Sequence, residues 1–271
     1  MVVRANAADS LAQTTEEATR FATMAVQERA QKISDTLQDA LDTASCLARV
    51  FSGTKDPSNA VQLNRADAHG ILKAFLAQNP DIVGTYTGWE PNAFDGLDME
   101  YRNTQGHDDT GRFVPYWNRG SGNEVALEAL LAYEEEAYYQ MPKTRLAESI
   151  IDPYIYPVQG VDTLITSMAA PVMHDGVFYG IAGVDIKLEF LQTVVDDVSG
   201  LFDGSVELIL VSSNGSIAAV TKKPDLAAKS LEEYDATYND FGKKLEESKT
   251  SWTDTREGNL EAFAPISFSG G

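Results

Sequence analysis

Between Ser10 and Phe51 the chain contains neither proline nor glycine. Its apolar residues there fall at Val26, Ala30, Ile33, Leu37, Ala40, Ala44, Leu47 and Phe51, in steps that alternate four and three. That spacing predicts one helix with a seam on a single side. A helix of about 40 residues is ~60 Å long at ~1.5 Å per residue. No single small domain is that deep, so the helix must run past two domains or pair with a copy of itself. The seam is rich in alanine, which permits close approach of a second helix, and we expect a homodimer through this segment, residues 1–51.

Beyond this segment helices and strands alternate. Ser52–Asn64 reads as a polar loop, and Asp67–Gln78 as a helix stopped by Asn79-Pro80. Ile82–Trp89 has the β-branched and aromatic content of a strand. Pro91–Asp109 is an acidic loop without the spacing or central glycine of an EF-hand, so its charges are expected to be solvated. Glu124–Tyr139 is predicted helical, and Ser149–Tyr156, Thr163–Val172 and Val177–Ile186 are predicted strands, the last two joined by a tight turn at Met173-His174-Asp175-Gly176. Leu188–Val198 closes this α+β module, residues 52–200. The pattern then restarts in 201–271: strands at Ser205–Ser212 and Ser216–Thr221 about Ser213-Asn214-Gly215, a charged helix over Pro224–Ser248, and strands at Thr250–Thr255 and Leu260–Phe268 about Glu257-Gly258-Asn259. The fold class expected is α+β, a long amino-terminal helix followed by two tandem modules with antiparallel sheets. The chain stops just after a strand-like stretch, and we expect a fragment of a longer protein.

Composition narrows the functions. A hydrophobic content of 43% supports a buried core, and a formal net charge of −20 argues against nucleic acid and anionic membrane surfaces as partners. The single cysteine, Cys46, excludes an internal disulfide and is expected to be a small buried hydrophobe. His69, His107 and His174 share no metal-binding spacing and are expected at the surface. No nucleophile elbow, phosphate-cradling loop or dinucleotide fingerprint occurs, and Gly180 and Gly183 inside a strand suggest close backbone packing. Neither an enzyme nor a cofactor or metal site is expected.

The stretch Asp109–Gly120 places Arg112 and Arg119 beside Phe113, Tyr116 and Trp117, with Pro115 holding the backbone extended. It is too polar for a buried strand. Guanidinium donors beside rings suit the wall of a small-ligand pocket, while a surface loop covering the core accounts for the same residues.

These elements together carry a resemblance. The long first helix, Gly111-Arg112-Phe113-Val114-Pro115-Tyr116-Trp117, Asp152-Pro153-Tyr154-Ile155-Tyr156, Pro171-Val172 and Phe178–Ile186 resemble the double Cache (PAS-like) sensor domain of chemoreceptors and sensor histidine kinases. Val211–Ile217 is similar to the hairpin of that family's membrane-proximal half. The resemblance implies the periplasmic region of an inner-membrane receptor, anchored by transmembrane helices. It implies a metabolite bound in the membrane-distal module and an output of chemotaxis, histidine phosphorylation or cyclic-dinucleotide synthesis.

In the family's amino-acid-binding branch an arginine grips the ligand carboxylate and an aspartate after the Pro-Tyr of the third strand region meets its amine. Arg112 matches an earlier arginine of that motif and Asp185 the aspartate at the end of Gly-Val-Asp. Val114 and Tyr156 stand where the branch has its other arginine and aspartate. Read physically, Asp185 lies among Tyr86, Trp89, Tyr116, Trp117, Tyr139, Tyr154 and Tyr156. A cation over such rings gains ~0.5–2 kcal/mol per good face, and a carboxylate neutralises it. The expected ligand is therefore a small amine or quaternary ammonium. The alternatives are a small carboxylate or amino acid held by Arg112, and a protein-interaction module without a small ligand.

Overall fold

The computed structural model describes residues 7–59, 61–120, 122–198, 206–212, 214–238, 250–256 and 259–267. Helix α1 is Ala7–Gly53, as the unbroken seam predicts. Contacts divide the chain into two units: Leu37–Thr193, and Val194 onward with the part of α1 before Leu37.

In the Leu37–Thr193 unit the α1 seam is spent on its own chain, with Leu37, Ala40, Ala44, Leu47 and Phe51 all buried. The seam is therefore not available to a second copy. Cys46 is exposed, on the opposite side of the helix from the seam, contrary to the buried position expected of it. Helix α2 (Arg65–Gln78) begins at a capping box, in which Asn64 accepts from the Asp67 amide and Asp67 accepts from the Asn64 amide.

The sheet of this unit is antiparallel throughout, ordered β3-β2-β1-β7-β6-β4, with β5 also paired to β6. Its strands are β1 (Ile82–Trp89), β2 (Pro115–Arg119), β3 (Val125–Ala129), β4 (Ser149–Ile150), β5 (Tyr154–Val158), β6 (Val161–His174) and β7 (Val177–Lys187). Every residue of β1 is buried, because it pairs on both edges and is covered on both faces. On one face Thr85 donates to the Leu72 carbonyl of α2 and Trp89 meets Phe51 of α1. On the other, Tyr86 and Gly88 meet Tyr138 and Tyr139 of α3 (Ala137–Arg145). The turn between β6 and β7 is tight, as expected, with Asp175 and Gly176 both at positive φ.

Two local expectations fail for one reason. Glu124–Tyr139 is not one helix: β3 pairs with β2, and α3 starts only at Ala137. Likewise Pro115–Arg119 is a largely buried strand, not a polar loop. The Ala-Leu-Glu content of 125–130 favours a helix in isolation, but the free edge of β2 offers a ladder that outweighs propensity. Three of the side chains of β2 are given a polar partner: Asn118 donates to Glu128, Trp117 to His69 Nδ1, and Arg119 to the Leu76 carbonyl.

The acidic loop is not a solvated charge run either. Arg65, 3% exposed, donates to Asp95 Oδ2 (2.9 Å), Asp95 Oδ1 and Asp98 Oδ1 (each 2.7 Å) and the Gly111 carbonyl (2.9 Å), and its guanidinium lies 4.1 Å from the centre of the Tyr101 ring. Gly111, at φ +90°, comes so close to the Asp98 carbonyl that a Cβ there would stand 1.7 Å from its oxygen. Gly111→Ala is accordingly expected to cost ~3 kcal/mol or more, from strain plus collision with backbone that cannot yield. Urea denaturation measures this, and a loss below ~1 kcal/mol contradicts it.

The second unit buries Ala30 and Ile33 of α1, and Val194 and Val195 at the end of α4 (Glu189–Asp196). Thr221 donates to the Val195 carbonyl beside the hairpin of β8 (Ile209–Val211) and β9 (Ile217–Val220). A small core of Ile217, Val220 and Leu231 is joined by Trp252 and Phe263, stacked at 4.6 Å across β10 (Trp252–Arg256) and β11 (Asn259–Phe263). The charged helix expected over Pro224–Ser248 is broken as far as Tyr238. It consists of short 3-10 turns and one helical turn, α5 (Leu231–Tyr234), capped by Ser230. The rest of that expectation (239–248), and the turn residues Ser213 and Glu257-Gly258, lie outside the described residues.

Candidate ligand site

The site is built on the α3 face of the sheet, and its floor depends on two glycines. Tyr86 and Tyr116 are register partners on β1 and β2, while across β7 Gly84 stands opposite Asp185 and Tyr86 opposite Gly183. Each ring lies down on a neighbouring glycine. A Cβ at Gly84 would come within 2.2 Å of the Tyr116 ring, and one at Gly183 within 2.3 Å of the Tyr86 ring. Any side chain at either position would lift the ring off the sheet. Gly180 has the role expected of it, facing the Gly88 carbonyl across the ladder, but Gly183 makes room for an aromatic ring.

Around this floor stand Tyr138 from α3 and Tyr154 and Tyr156 from β5. The rings meet mostly edge to face: Tyr86–Tyr138 at 5.6 Å, Tyr116–Tyr156 at 5.6 Å and Tyr154–Tyr156 at 6.2 Å between centroids. Tyr156 accepts from the Leu131 amide and Tyr138 donates to the Leu131 carbonyl, which ties β5 and α3 to the turn after β3.

Asp185 is 3% exposed in the middle of this group. Ser167 on β6 donates to its Oδ1 (2.5 Å), and the Ser167 oxygen is in turn 2.7 Å from the Tyr154 hydroxyl. Among the described residues no Lys, Arg or His forms an ion pair with it. Burial therefore dominates and pushes its carboxyl up to about 7, against the opposing help of the Ser167 and Tyr116 hydroxyls. The same burial, with the carboxylate nearby, raises the phenols of Tyr86 and Tyr116 well above their ordinary range. Both hydroxyls point towards the Asp185–Ser167 pair, yet neither makes a hydrogen bond of ordinary length and angle.

Of the residues singled out in the sequence, the fold brings together Tyr86, Tyr116, Tyr154, Tyr156 and Asp185. Tyr139 lies on the same face further along β1, over Gly88. Arg112 is beside it but occupied: it donates to the Trp89 carbonyl (2.9 Å), to Glu134 and to the Tyr139 hydroxyl (3.3 Å), and lies over the Tyr133 ring. Trp89 and Trp117 are on the other face. Trp89 packs on Phe51 and Phe94, with the Lys55 ammonium 4.9 Å from its ring centre, and Trp117 packs on His69 under Lys73. Alternation along a strand explains the split, since Trp117 directly succeeds Tyr116 and Trp89 is three residues after Tyr86.

Sequence reading missed Tyr138, Ser167, Gly84 and Gly183. The available signal was register: once β1, β6 and β7 are paired, Ser167 falls opposite Asp185 and Gly84 on its other side. Two of the three histidines were also misplaced. His107 is buried, and His69 sits half-buried among rings, its imidazole lowered to about 4 by burial with help from His107 and Arg65. Among the described residues no three His, Cys, Asp or Glu side chains converge as metal ligands.

Comparison with known proteins bears on the family of the chain. Residues 68–193 match the family model described as methyl-accepting chemotaxis protein-like, first PDC sensor domain. The chain is 30% identical over 186 residues to the methyl-accepting chemotaxis protein TlpQ of Pseudomonas aeruginosa. That match covers 63% of this chain and only 26% of the receptor. Among solved structures, the extracellular domain of histidine kinase mmHK1S-Z3 superposes with a TM-score of 0.79 at 28% identity, covering 94% of this chain and 90% of that one. The mmHK1S-Z2 domain gives 0.74 at 30% identity, over 93% of this chain and 92% of that one.

Proposed function

Because this chain belongs to the Cache (PDC) family of extracytoplasmic sensor domains of chemoreceptors and sensor histidine kinases, we propose that it is the part of such a receptor that binds a small organic cation. The binding module is the membrane-distal one, within residues 52–200, and the ligand is an amine or quaternary ammonium seated against Asp185. The whole receptor is anchored in the inner membrane and passes ligand binding inwards to a chemotaxis or kinase output.

One observation carries the choice of ligand. A carboxylate buried to 3% exposure, bonded to a single neutral hydroxyl and lacking a counter-charge among the described residues, is costly to keep ionised. A ligand cation supplies the missing charge, and the faces of Tyr86, Tyr116, Tyr154 and Tyr156 add cation–π attraction. A carboxylate ligand gains nothing from Asp185, and Arg112 already has its donors placed on protein acceptors. An amino acid shares the amine and is the second reading. A homodimer would have to use the side of α1 away from its seam, where Phe21 and Met24 are exposed.

Thermal unfolding against amines, quaternary ammonium compounds, amino acids and short carboxylic acids tests this. A true ligand at a hundredfold excess over its Kd adds ~2.7 kcal/mol. We expect cations alone to raise Tm, and the shift to vanish in Asp185→Asn. A cation whose shift survives Asp185→Asn, or a carboxylate whose effect is lost in Arg112→Ala, overturns the reading. No shift with any metabolite favours the ligand-free interaction module.

A further inference from the structure

The walls of the site are held by unequal means. Strands β1, β2, β6 and β7 each have a neighbour on both edges, so no opening forms between them without unzipping a ladder. β5 is different. Its five residues pair with β6 on one edge, and among the described residues no strand pairs with the other. That second edge meets β3, the opposite end of the sheet, and among the described residues every hydrogen bond across the join involves a side chain. The Tyr156 hydroxyl accepts from the Leu131 amide at 2.9 Å. The Gln159 amide donates to Glu128 Oε2 at 3.1 Å, and Gln159 Nε2 donates to Asn118 Oδ1 (3.0 Å) and to the Glu124 carbonyl (2.8 Å).

Gln159 is an unusual residue for its place. It stands at φ +51° beside Gly160 at φ +75°, in the two-residue turn between Val158 and Val161. Turns of this kind favour Asn or Gly, and a glutamine there is strained. Room is made for its amide by Gly120, where a Cβ would stand 2.5 Å from Gln159 Oε1. A strained side chain and a missing one thus converge on the same seam. The pocket behind it is closed, with Asp185, Tyr86, Tyr116, Tyr138 and Tyr156 all buried, so a ligand enters only when a wall moves. We infer that the wall that moves is β5, parting from β3, and that Gln159 is the latch that holds this seam shut. The inference rests on the reading that the ligand sits on the α3 face, and is independent of the ligand's charge. A side-chain hydrogen bond exchanged for water shifts such an opening about fivefold, so a few of them keep the open state minor but within reach.

The test needs no ligand. In a Cys46→Ser background, Ser167→Cys puts a thiol beside Asp185, and Thr85→Cys puts one at an equally buried position on the α2 face. Methyl methanethiosulfonate labelling, followed by mass, reports how often each is reached. The thiol at 167 is expected to react faster than the one at 85. Gln159→Gly, which suits φ +51° but has no amide, should speed labelling at 167 at least fivefold and leave position 85 unchanged. Tyr156→Phe, which keeps the ring and removes the acceptor of the Leu131 amide, should do the same. Hydrogen exchange of the protein without substitutions is the second readout: the Leu131 and Gln159 amides should exchange together, ahead of those of β1 and β7. Equal labelling at 167 and 85 would mean that the pocket opens only by unfolding, and the inference falls. It falls too if neither seam variant changes labelling at 167, since the wall then opens elsewhere, or if they speed both positions alike.

Discussion

Asp185→Asn is expected to make the ligand-free protein more stable at pH 8, by on the order of 4 kcal/mol, and to change it little at pH 4. The sign comes from burial. In the unfolded chain the carboxyl ionises near 3.8, and in the fold it is held up to about 7. Below 3.8 both states carry the proton and Asp185 contributes nothing. Between 3.8 and 7 the unfolded chain binds fewer protons than the fold, so stability falls as pH rises, and above 7 the whole penalty is present. Asparagine removes the charge and keeps the shape. Glu90, Asp95 and Asp108 work in the opposite direction, because hydrogen bonds and nearby cations hold their carboxyls below the ordinary range. Their contribution is common to both proteins and cancels in the difference. Thermal melts of the two proteins across pH 4–8 measure it, with a gap at pH 8 of roughly 10 °C for a chain of this size. Equal stability at pH 8, or a less stable variant, would mean that Asp185 is compensated in a way the fold does not display.

Periodicity carried most of the architecture. The four-and-three spacing from Val26 to Phe51 specified α1, and β-branched content bounded by turn residues specified β1, β6 and β7 within a few residues. The failures share a cause. Residues 125–129 and 115–119 are strands only because each supplies the other's ladder, and β2 in turn completes β1. A non-local partner is invisible to a local window, so helix-favouring alanine, leucine and glutamate misled the reading. The acidic loop is the electrostatic version of the same problem, since only the fold brings Arg65 to Asp95 and Asp98.

The candidate site was half legible. Asp185 stood out through the resemblance, as the aspartate that closes Gly-Val-Asp, and the tyrosines as rings that could surround a carboxylate and its cation. What composition does not carry is face. Tyr116 and Trp117 are adjacent and equally aromatic, yet pleating sends one to Asp185 and the other to His69. The glycines were harder still. Gly84 and Gly183 matter for the side chain they lack, and their role appears only when Tyr116 and Tyr86 are laid across them.

Affinity for a cation at this site should fall steeply on acidification. The groups facing Asp185 are Tyr86 from β1, Tyr116 from β2, Tyr138 from α3, Tyr154 and Tyr156 from β5, and Ser167 from β6. Every one of those phenols is shifted upwards, the lowest to about 12, so none titrates between pH 5 and 8. His69, lowered to about 4, is neutral across that window and lies on the other face. The Asp185 carboxyl, at about 7, is the group that changes, and it must be ionised to receive a cation. A proton and the ligand therefore compete for the same two oxygens. From pH 8 to 5.5 the ionised fraction drops ~30-fold, and Kd for an alkylamine, itself protonated throughout, should weaken by about the same factor. Calorimetry near pH 6 in buffers of different ionisation enthalpy should detect close to one proton released per ligand bound. A flat profile with no proton release would show that the bound cation is not neutralised by Asp185, and the seat of the positive charge would have to be sought beside Glu90 and Glu134 at the far end of the same face.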